Sequence, residues 1–273
     1  MTSSAPAISP YILNTRPQPM GAVLDDKLRQ EKLASLSFPV IENQNLPAQE
    51  MLCQLPHNNL SELLADLDVR QNQKTTFWLF ISRSSVLFFK QFLTTHKLKF
   101  SPMGTVIAVG DTTKSELQSI SPDLQVLTPE QANSESLLAM DAFQPCRDIV
   151  MVKGVGGRGL MTKEFQLRNK QVLELDLYQR VPVMYPVNTM SKWQNVGIVL
   201  ATSVDIASAT LNNVHQLPKA TIQQFLQTNR WIVLSERIKQ FLMSNGVAAN
   251  NIFVCEQSDN SSIIKLIKQI NRH

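Results

Sequence analysis

The chain is short of the residues on which most covalent and metal chemistry is built. Its 273 residues include three cysteines, four histidines and three tyrosines. Cys53, Cys146 and Cys255 are scattered and odd in number. They supply neither a disulfide framework nor a metal-ligand spacing, so reduced thiols are expected. His57, His96, His215 and His273 fall in loops or at helix ends and read as surface residues. No Ser–His–Asp order occurs and no paired carboxylates stand at strand ends. No apolar run is long enough to cross a bilayer; Thr76 to Phe89 comes nearest, and Ser82-Arg83-Ser84-Ser85 breaks it. Met1 to Pro10 lacks the basic start and apolar centre of a signal peptide. A cytoplasmic chain with no membrane partner is therefore expected. Charged residues make up only 18% against 43% hydrophobic, which excludes a disordered chain. The net charge of +4 and pI near 9.0 suit an anionic partner. No basic run interleaved with aromatics points to nucleic acid.

Glycine is scarce too, nine in all, yet four of them fall in Lys153-Gly154-Val155-Gly156-Gly157-Arg158-Gly159. Glycine permits positive φ and lets a ligand reach main-chain N–H groups. Asp148 to Val152 reads as a buried strand and Leu160 to Leu167 as the helix that follows. A strand, a glycine turn and a helix start present amides to an anion, and Lys153 and Arg158 add charge of the matching sign. The segment lacks the closing Lys-Ser/Thr of a phosphate-binding loop. Asp176 has roughly the spacing of a ribose-binding carboxylate, but it lies in a Leu-Asp-Leu context unlike that motif. A nucleotide is the weaker reading.

Short apolar strands alternate with amphipathic helices throughout, predicting an α/β fold with mostly parallel sheets. Strands are expected at Tyr11–Asn14, Phe38–Ile41, Thr76–Ile81, Thr105–Val109 and Val126–Leu127, and later at Val196–Ala201, Arg230–Leu234 and Asn251–Val254. Helices are expected at Gly21–Leu33, Leu60–Leu67 and from Asp111 through Leu117. Further helices run from Ser203 through Leu211, over Glu236–Asn245 and over Ser261–Ile270. The strand–hydroxyl–helix grammar occurs twice, so two similar α/β domains are expected. Segments 39–43 and 173–184 alternate as strands do and serve as linkers. One domain is then discontinuous, residues 1–38 plus 185–273, and the other is 44–172, with the binding cleft between them.

Hydroxyls and bare amides recur where strands end: Thr15, Ser82, Gly110 with Thr112 and Thr113, Gly154 to Gly157, Thr202, Ser203 and Ser235. Singly, each hydroxyl is more often a helix N-cap than a ligand contact. Together they form a surface that binds carboxylates through neutral donors.

Val150 to Met161 (VMVKGVGGRGLM) and Leu175 to Val183 (LDLYQRVPV) resemble the signature pair of the uroporphyrinogen-III synthase family. Leu13-Asn14-Thr15-Arg16-Pro17 resembles the family's opening strand and turn, and Phe38-Pro39-Val40-Ile41 its first linker. Phe80-Ile81-Ser82 and Ala108-Val109-Gly110-Asp111-Thr112-Thr113 resemble two crevice strands, and Leu200-Ala201-Thr202-Ser203 their counterpart in the other domain. The resemblance implies two similar flavodoxin-like domains with parallel sheets, joined by a two-stranded linker. It implies a monomeric lyase without cofactor or metal. The substrate would be the linear tetrapyrrole hydroxymethylbilane, closed with loss of water and inversion of the terminal pyrrole ring. A transient contact with the preceding pathway enzyme is left open.

By the resemblance, Tyr178 is the candidate to hydrogen-bond the departing hydroxyl, as a neutral phenol. Expected substrate contacts are Thr15, Arg16, Ser82, Gly110, Thr113, Lys153, Gly156, Gly157, Thr202, Ser203 and Ser235. Ser235-Glu236-Arg237-Ile238 departs from the family's frequent Gly-x-Thr-Thr turn. Gly110-Asp111 sets a carboxylate beside an anion site unless Asp111 caps the helix and faces away. A non-catalytic anion- or tetrapyrrole-binding module is the alternative.

Overall fold

The computed structural model describes residues 11–157, 159–257 and 259–271. The lead-in Met1–Pro10, Arg158 and His273 lie outside the described residues. The strands among them begin with β1 (Tyr11–Asn14), β2 (Ser35–Ser37), β3 (Ile41–Asn45), β4 (Thr76–Phe80), β5 (Val106–Ala108) and β6 (Val126–Leu127). They continue with β7 (Asp148–Gly154), β8 (Gln171–Pro182), β9 (Val196–Ala201), β10 (Arg230–Val233) and β11 (Ile252–Val254). The chain divides into two compact units: the described residues of Met1–Glu42 and Val181–His273, and the continuous stretch Asn43–Arg180.

The first unit holds a parallel sheet in the order β11-β10-β9-β1-β2. Numbered within the unit, that order is 2-1-3-4-5, the flavodoxin-like form of a doubly wound sheet. Ile12, Leu13, Ile198, Val199, Leu200, Trp231 and Ile232 are buried, as strands covered on both faces require. One face packs Ile206, Leu211, Ile238 and Leu242 of the helices Val204–Val214 and Glu236–Ser244. The other takes Leu24 and Leu28 of the helix Met20–Gln30 and an isoleucine stripe from Asn260–Ile270. Ile263, Ile264, Ile267 and Ile270 recur at helical spacing, each worth about 2 kcal/mol when fully buried.

The second unit orders its strands β3-β8-β7-β4-β5-β6. Its five strands from β4 to β8 are parallel and follow the order 3-2-1-4-5, with β3 on the edge beside β8. Trp78, Phe80, Phe89, Val150 and Leu175 fill one face; Phe77, Ile107, Phe143, Met151 and Phe165 fill the other.

The strand expected over Phe38–Ile41 is not one element. β2 ends at Ser37 and β3 begins at Ile41, because Pro39 carries no N–H for a ladder. The amides either side of it still bond outward, Phe38 N–H to Asn14 O (2.9 Å) and Val40 N–H to Thr15 O (3.3 Å). Asn213 secures this end of the first unit. Its Nδ2 donates to Val183 O (2.8 Å) and its Oδ1 accepts from Tyr185 N–H (2.8 Å), while Tyr185 OH donates to Pro39 O (2.9 Å). The helices Arg83–His96 and Lys219–Thr228 were not anticipated. His57 is no surface residue: its side chain is 10% exposed and its Nε2 lies 3.1 Å from Asp66 Oδ2. All three cysteines are free, Cys146 and Cys255 buried and Cys53 exposed.

Gly104 fits against the chain more closely than any side chain allows: a Cβ there would sit 1.9 Å from Thr76 O. Gly104→Ala should therefore cost about 3 kcal/mol by forcing β4 and its neighbours apart, whereas Leu167→Ala, at a position 77% exposed, should change little. Calorimetric melting checks both; an unshifted transition for Gly104→Ala would contradict the packing.

Candidate active site

In a doubly wound sheet the ligand crevice lies beyond the carboxyl ends of the strands, where the strand order reverses. In the second unit the reversal falls between β4 and β7. Ser82 follows β4 and the glycine turn follows β7, so both stand at that switch point. Tyr178 joins them from β8. The register along β7 and β8 pairs Lys153 with Asp176 but Gly154 with Tyr178, a one-residue slip. That slip sets the tyrosine ring over Gly154, where a Cβ would come within 2.6 Å of ring carbons. Gly154 is thus demanded by Tyr178. The phenol oxygen lies 3.1 Å from Ser82 Oγ, and the ring stacks on Phe88 at 4.8 Å. Ser82 Oγ also accepts from Ser85 N–H (3.0 Å), closing a capping box on the helix Arg83–His96. When Ser82 donates to Tyr178, the phenol proton is free for a ligand atom.

Gly156, Gly157 and Gly159 have φ of +90°, +99° and +61°. A Cβ at any of them would meet nothing within 4 Å. Here the backbone conformation, more than space, calls for glycine. Val155 N–H is taken by Tyr178 O (2.8 Å). Val155 and Leu160, 42% and 44% exposed, flank the glycines with apolar surface.

Lys153 is placed otherwise than expected. Its side chain is buried, with Nζ 2.6 Å from Glu174 Oε2 and 3.1 Å from Asp176 Oδ1. Burial pulls its pKa down, but the two carboxylates outweigh that and the net direction is up. Glu174 is raised by burial and lowered by more through Lys153 and Thr162, so its net direction is down. Asp176, more deeply buried, moves up. The ammonium is therefore committed inside the chain. Gly110 caps the helix Asp111–Ile120 in extended conformation, and Asp111 is that helix's exposed first residue, not its cap. Thr113 is 2% exposed, on the buried side of the same helix.

In the first unit the reversal falls between β1 and β9. Thr15 and Arg16 follow β1, Thr202 and Ser203 follow β9, and Ser235 stands just past β10. Thr15 Oγ1 is buried and donates to Leu200 O, so it ties β1 to β9. Ser203 and Ser235 are helix N-caps, accepting from Ile206 N–H (3.2 Å) and Ile238 N–H (3.4 Å). Half-buried Thr202 stands beside Ser203. Arg16 is different. Its guanidinium is buried; Nη1 donates to Asn260 Oδ1 (2.6 Å), Nη2 lies 3.8 Å from Met20 Sδ, and Nε has no partner. Among the described residues no carboxylate pairs with it. Burial lowers its pKa, which is the cost of holding an unpaired cation. With no carboxylate against it among the described residues, this guanidinium keeps hydrogen-bond donors and charge of the sign that suits an anion.

Reading the sequence missed Phe88, Glu174, Thr162 and Asn260. Glu174 and Asp176 alternate with Leu173, Leu175 and Leu177, a visible pattern; that Lys153 faces them depends on register, which the sequence does not print.

These features define a class: a doubly wound α/β protein in two units, with polar groups and helix starts gathered at each switch point. The HEM4 family model, described as uroporphyrinogen-III synthase HemD, matches residues 22–265. The chain belongs to the uroporphyrinogen-III synthase family. It is 26% identical over 262 residues to the uroporphyrinogen-III synthase of Escherichia coli K12, covering 94% of this chain and 99% of that one. The Salmonella typhimurium LT2 enzyme is 25% identical over 266 residues, with the same coverage. The crystal structure of uroporphyrinogen-III synthetase from Helicobacter pylori 26695 shares the fold with a TM-score of 0.57 at 14% identity, over 96% of this chain and all of that one. A mutant synthase from Thermus thermophilus matches with a TM-score of 0.53 at 14% identity, over 96% and 99% of the two chains.

Removing the lysine would leave two carboxylates facing each other. Lys153→Met should lose about 3 kcal/mol at pH 7. Glu174, held below its ordinary range, is stabilising above that range, and this contribution fades as pH falls through its folded pKa. Asp176, raised, acts with the opposite sign. With the lysine gone both carboxyls are free to protonate, so the deficit should narrow toward pH 4. Urea unfolding at the two pH values measures this; a deficit independent of pH would contradict it.

Proposed function

We propose that this chain is a uroporphyrinogen-III synthase, closing hydroxymethylbilane with loss of water and inversion of the terminal pyrrole ring. The family match over residues 22–265 carries the reading. The substrate combines flat apolar rings with acetate and propionate groups on each pyrrole. Both switch points carry that combination. Arg16 stands beside Met20, which is 51% exposed, and the glycine turn stands between Val155 and Leu160.

Without an enzyme the same substrate closes to the non-inverted isomer. Catalysis has to fold the linear chain so that the substituted carbon of the last ring is attacked first. It also has to assist the hydroxyl as its C–O bond breaks and it leaves, with a proton, as water. In this reading Arg16 takes one carboxylate, and the amides of Gly156 and Gly157 and the start of the helix Leu160–Leu167 take others. Tyr178 donates to the leaving hydroxyl, its other contact met by Ser82. Lys153, Thr15 and Thr113 hold the frame. Ser203 and Ser235 cap the helices that start at the first unit's strand ends, and Gly110 leaves the start of the helix Asp111–Ile120 in the second unit without a side chain. Thr202 completes the rim of the first unit's switch point. The reading includes a cytoplasmic monomer that receives an unstable substrate from the preceding enzyme. Among the described residues no helix is long and apolar enough to cross a membrane.

Incubation with enzymatically generated hydroxymethylbilane, followed by oxidation and separation of the uroporphyrin isomers, tests the activity. Isomer III should form faster than spontaneous closure forms isomer I; isomer I alone, at the spontaneous rate, would leave a binding module. Tyr178→Phe should lower kcat about tenfold or more with a melting temperature close to that of the unaltered chain. Unchanged turnover would make Tyr178 a packing residue.

A further inference from the structure

Glu174 grips both ends of the glycine turn. From β8 its Oε2 takes Lys153 Nζ at 2.6 Å, and Lys153 is the residue immediately before Gly154. Its Oε1 accepts from Thr162 Oγ1, in the first turn of the helix Leu160–Leu167. Between these two grips run Gly154 to Gly159, with three glycines at positive φ. Such a turn has much backbone freedom, while its proposed role depends on where its amides point. Asp176, on the same face of β8, keeps Lys153 in place from 3.1 Å. Tyr178 O fixes Val155 N–H between them. Three alternate residues of one strand therefore hold the turn, and Glu174 alone reaches across it.

We propose that Glu174 is a positioning residue for substrate binding, clamping the glycine turn so that its amides are set for a carboxylate before the ligand arrives. The proposal rests on the reading of that turn as a carboxylate cradle. Preorganisation of this kind strengthens binding by removing the ordering that binding would otherwise require. The turn holds the substrate's periphery equally before and during reaction, so loss of the clamp weakens uniform binding and leaves the chemical step alone.

Thr162 is half-buried and its hydroxyl is the separable part of the clamp. Thr162→Val keeps the shape and removes the donor. In steady-state kinetics on the full chain it should raise KM about tenfold with kcat held within about twofold, the scale of one charge-assisted hydrogen bond. Thr162→Ser should restore KM. Glu174→Gln, which keeps one acceptor oxygen, should shift KM in the same direction as Thr162→Val. Gly156→Val reads the cradle independently of the clamp and should raise KM as well. An unchanged KM in Thr162→Val beside a raised KM in Gly156→Val overturns the clamp and leaves the cradle standing. An unchanged KM in both overturns the cradle and the clamp with it. A Thr162→Val variant that loses melting temperature and kcat together, with KM unchanged or without rescue by serine, marks the contact as structural and overturns the proposal.

Discussion

Gly154 has no Cβ, and the Tyr178 ring lies where that atom would be. The one-residue slip between β7 and β8 creates this contact, and much else follows from it. The phenol oxygen is brought to Ser82, whose other role is to cap a fourteen-residue helix. The ring meets Phe88 on that same helix. The backbone carbonyl of Tyr178 holds the next amide of the glycine turn. A side chain at position 154 would displace the ring and disturb all of these together. Strand register, helix cap and turn thus converge on one absent methyl group.

In the proposed reading the two switch points receive anions by different physical means. In the first unit a buried guanidinium lacks a carboxylate among the described residues, so the attraction is Coulombic and directional. In the second unit the available lysine is already shared by two carboxylates, so the attraction comes from amides and a helix start. In that reading the chain's net charge of +4 is a poor guide to where its ligand binds. Glu174 and Asp176 share a single ammonium beside the turn, and the turn, in that reading, attracts through backbone dipoles that need no counterion.

Most strands and helices were legible because their signals are local. β9 and the helix Leu160–Leu167 fall where apolar runs and Ser, Thr or Gly breaks place them. β2 was missed because Ser35-Leu36-Ser37 is too short and polar to signal burial, and it exists only through its pairing with β1. The hydroxyls at strand ends were legible as a group and, taken singly, as helix N-caps; which of them caps and which bonds across strands was not. Ser82, Ser203 and Ser235 cap helices, and Thr15 bonds across strands. Lys153 read as a ligand-facing charge because the sequence shows what precedes the turn and hides what the neighbouring strand sets against it. Arg16 follows the first strand as the sequence placed it; that it is buried with no carboxylate partner among the described residues is a tertiary fact.

In the proposed reading, the amides of Gly156 and Gly157 and the Arg16 guanidinium meet ligand carboxylates. Heteronuclear NMR of the labelled chain, titrated anaerobically with uroporphyrinogen III, observes these N–H groups one by one. Saturable shifts at the Gly156 and Gly157 amides and at Arg16 Nε–H, with a common dissociation constant, are the predicted result. Saturable binding that leaves those three signals unmoved would contradict it.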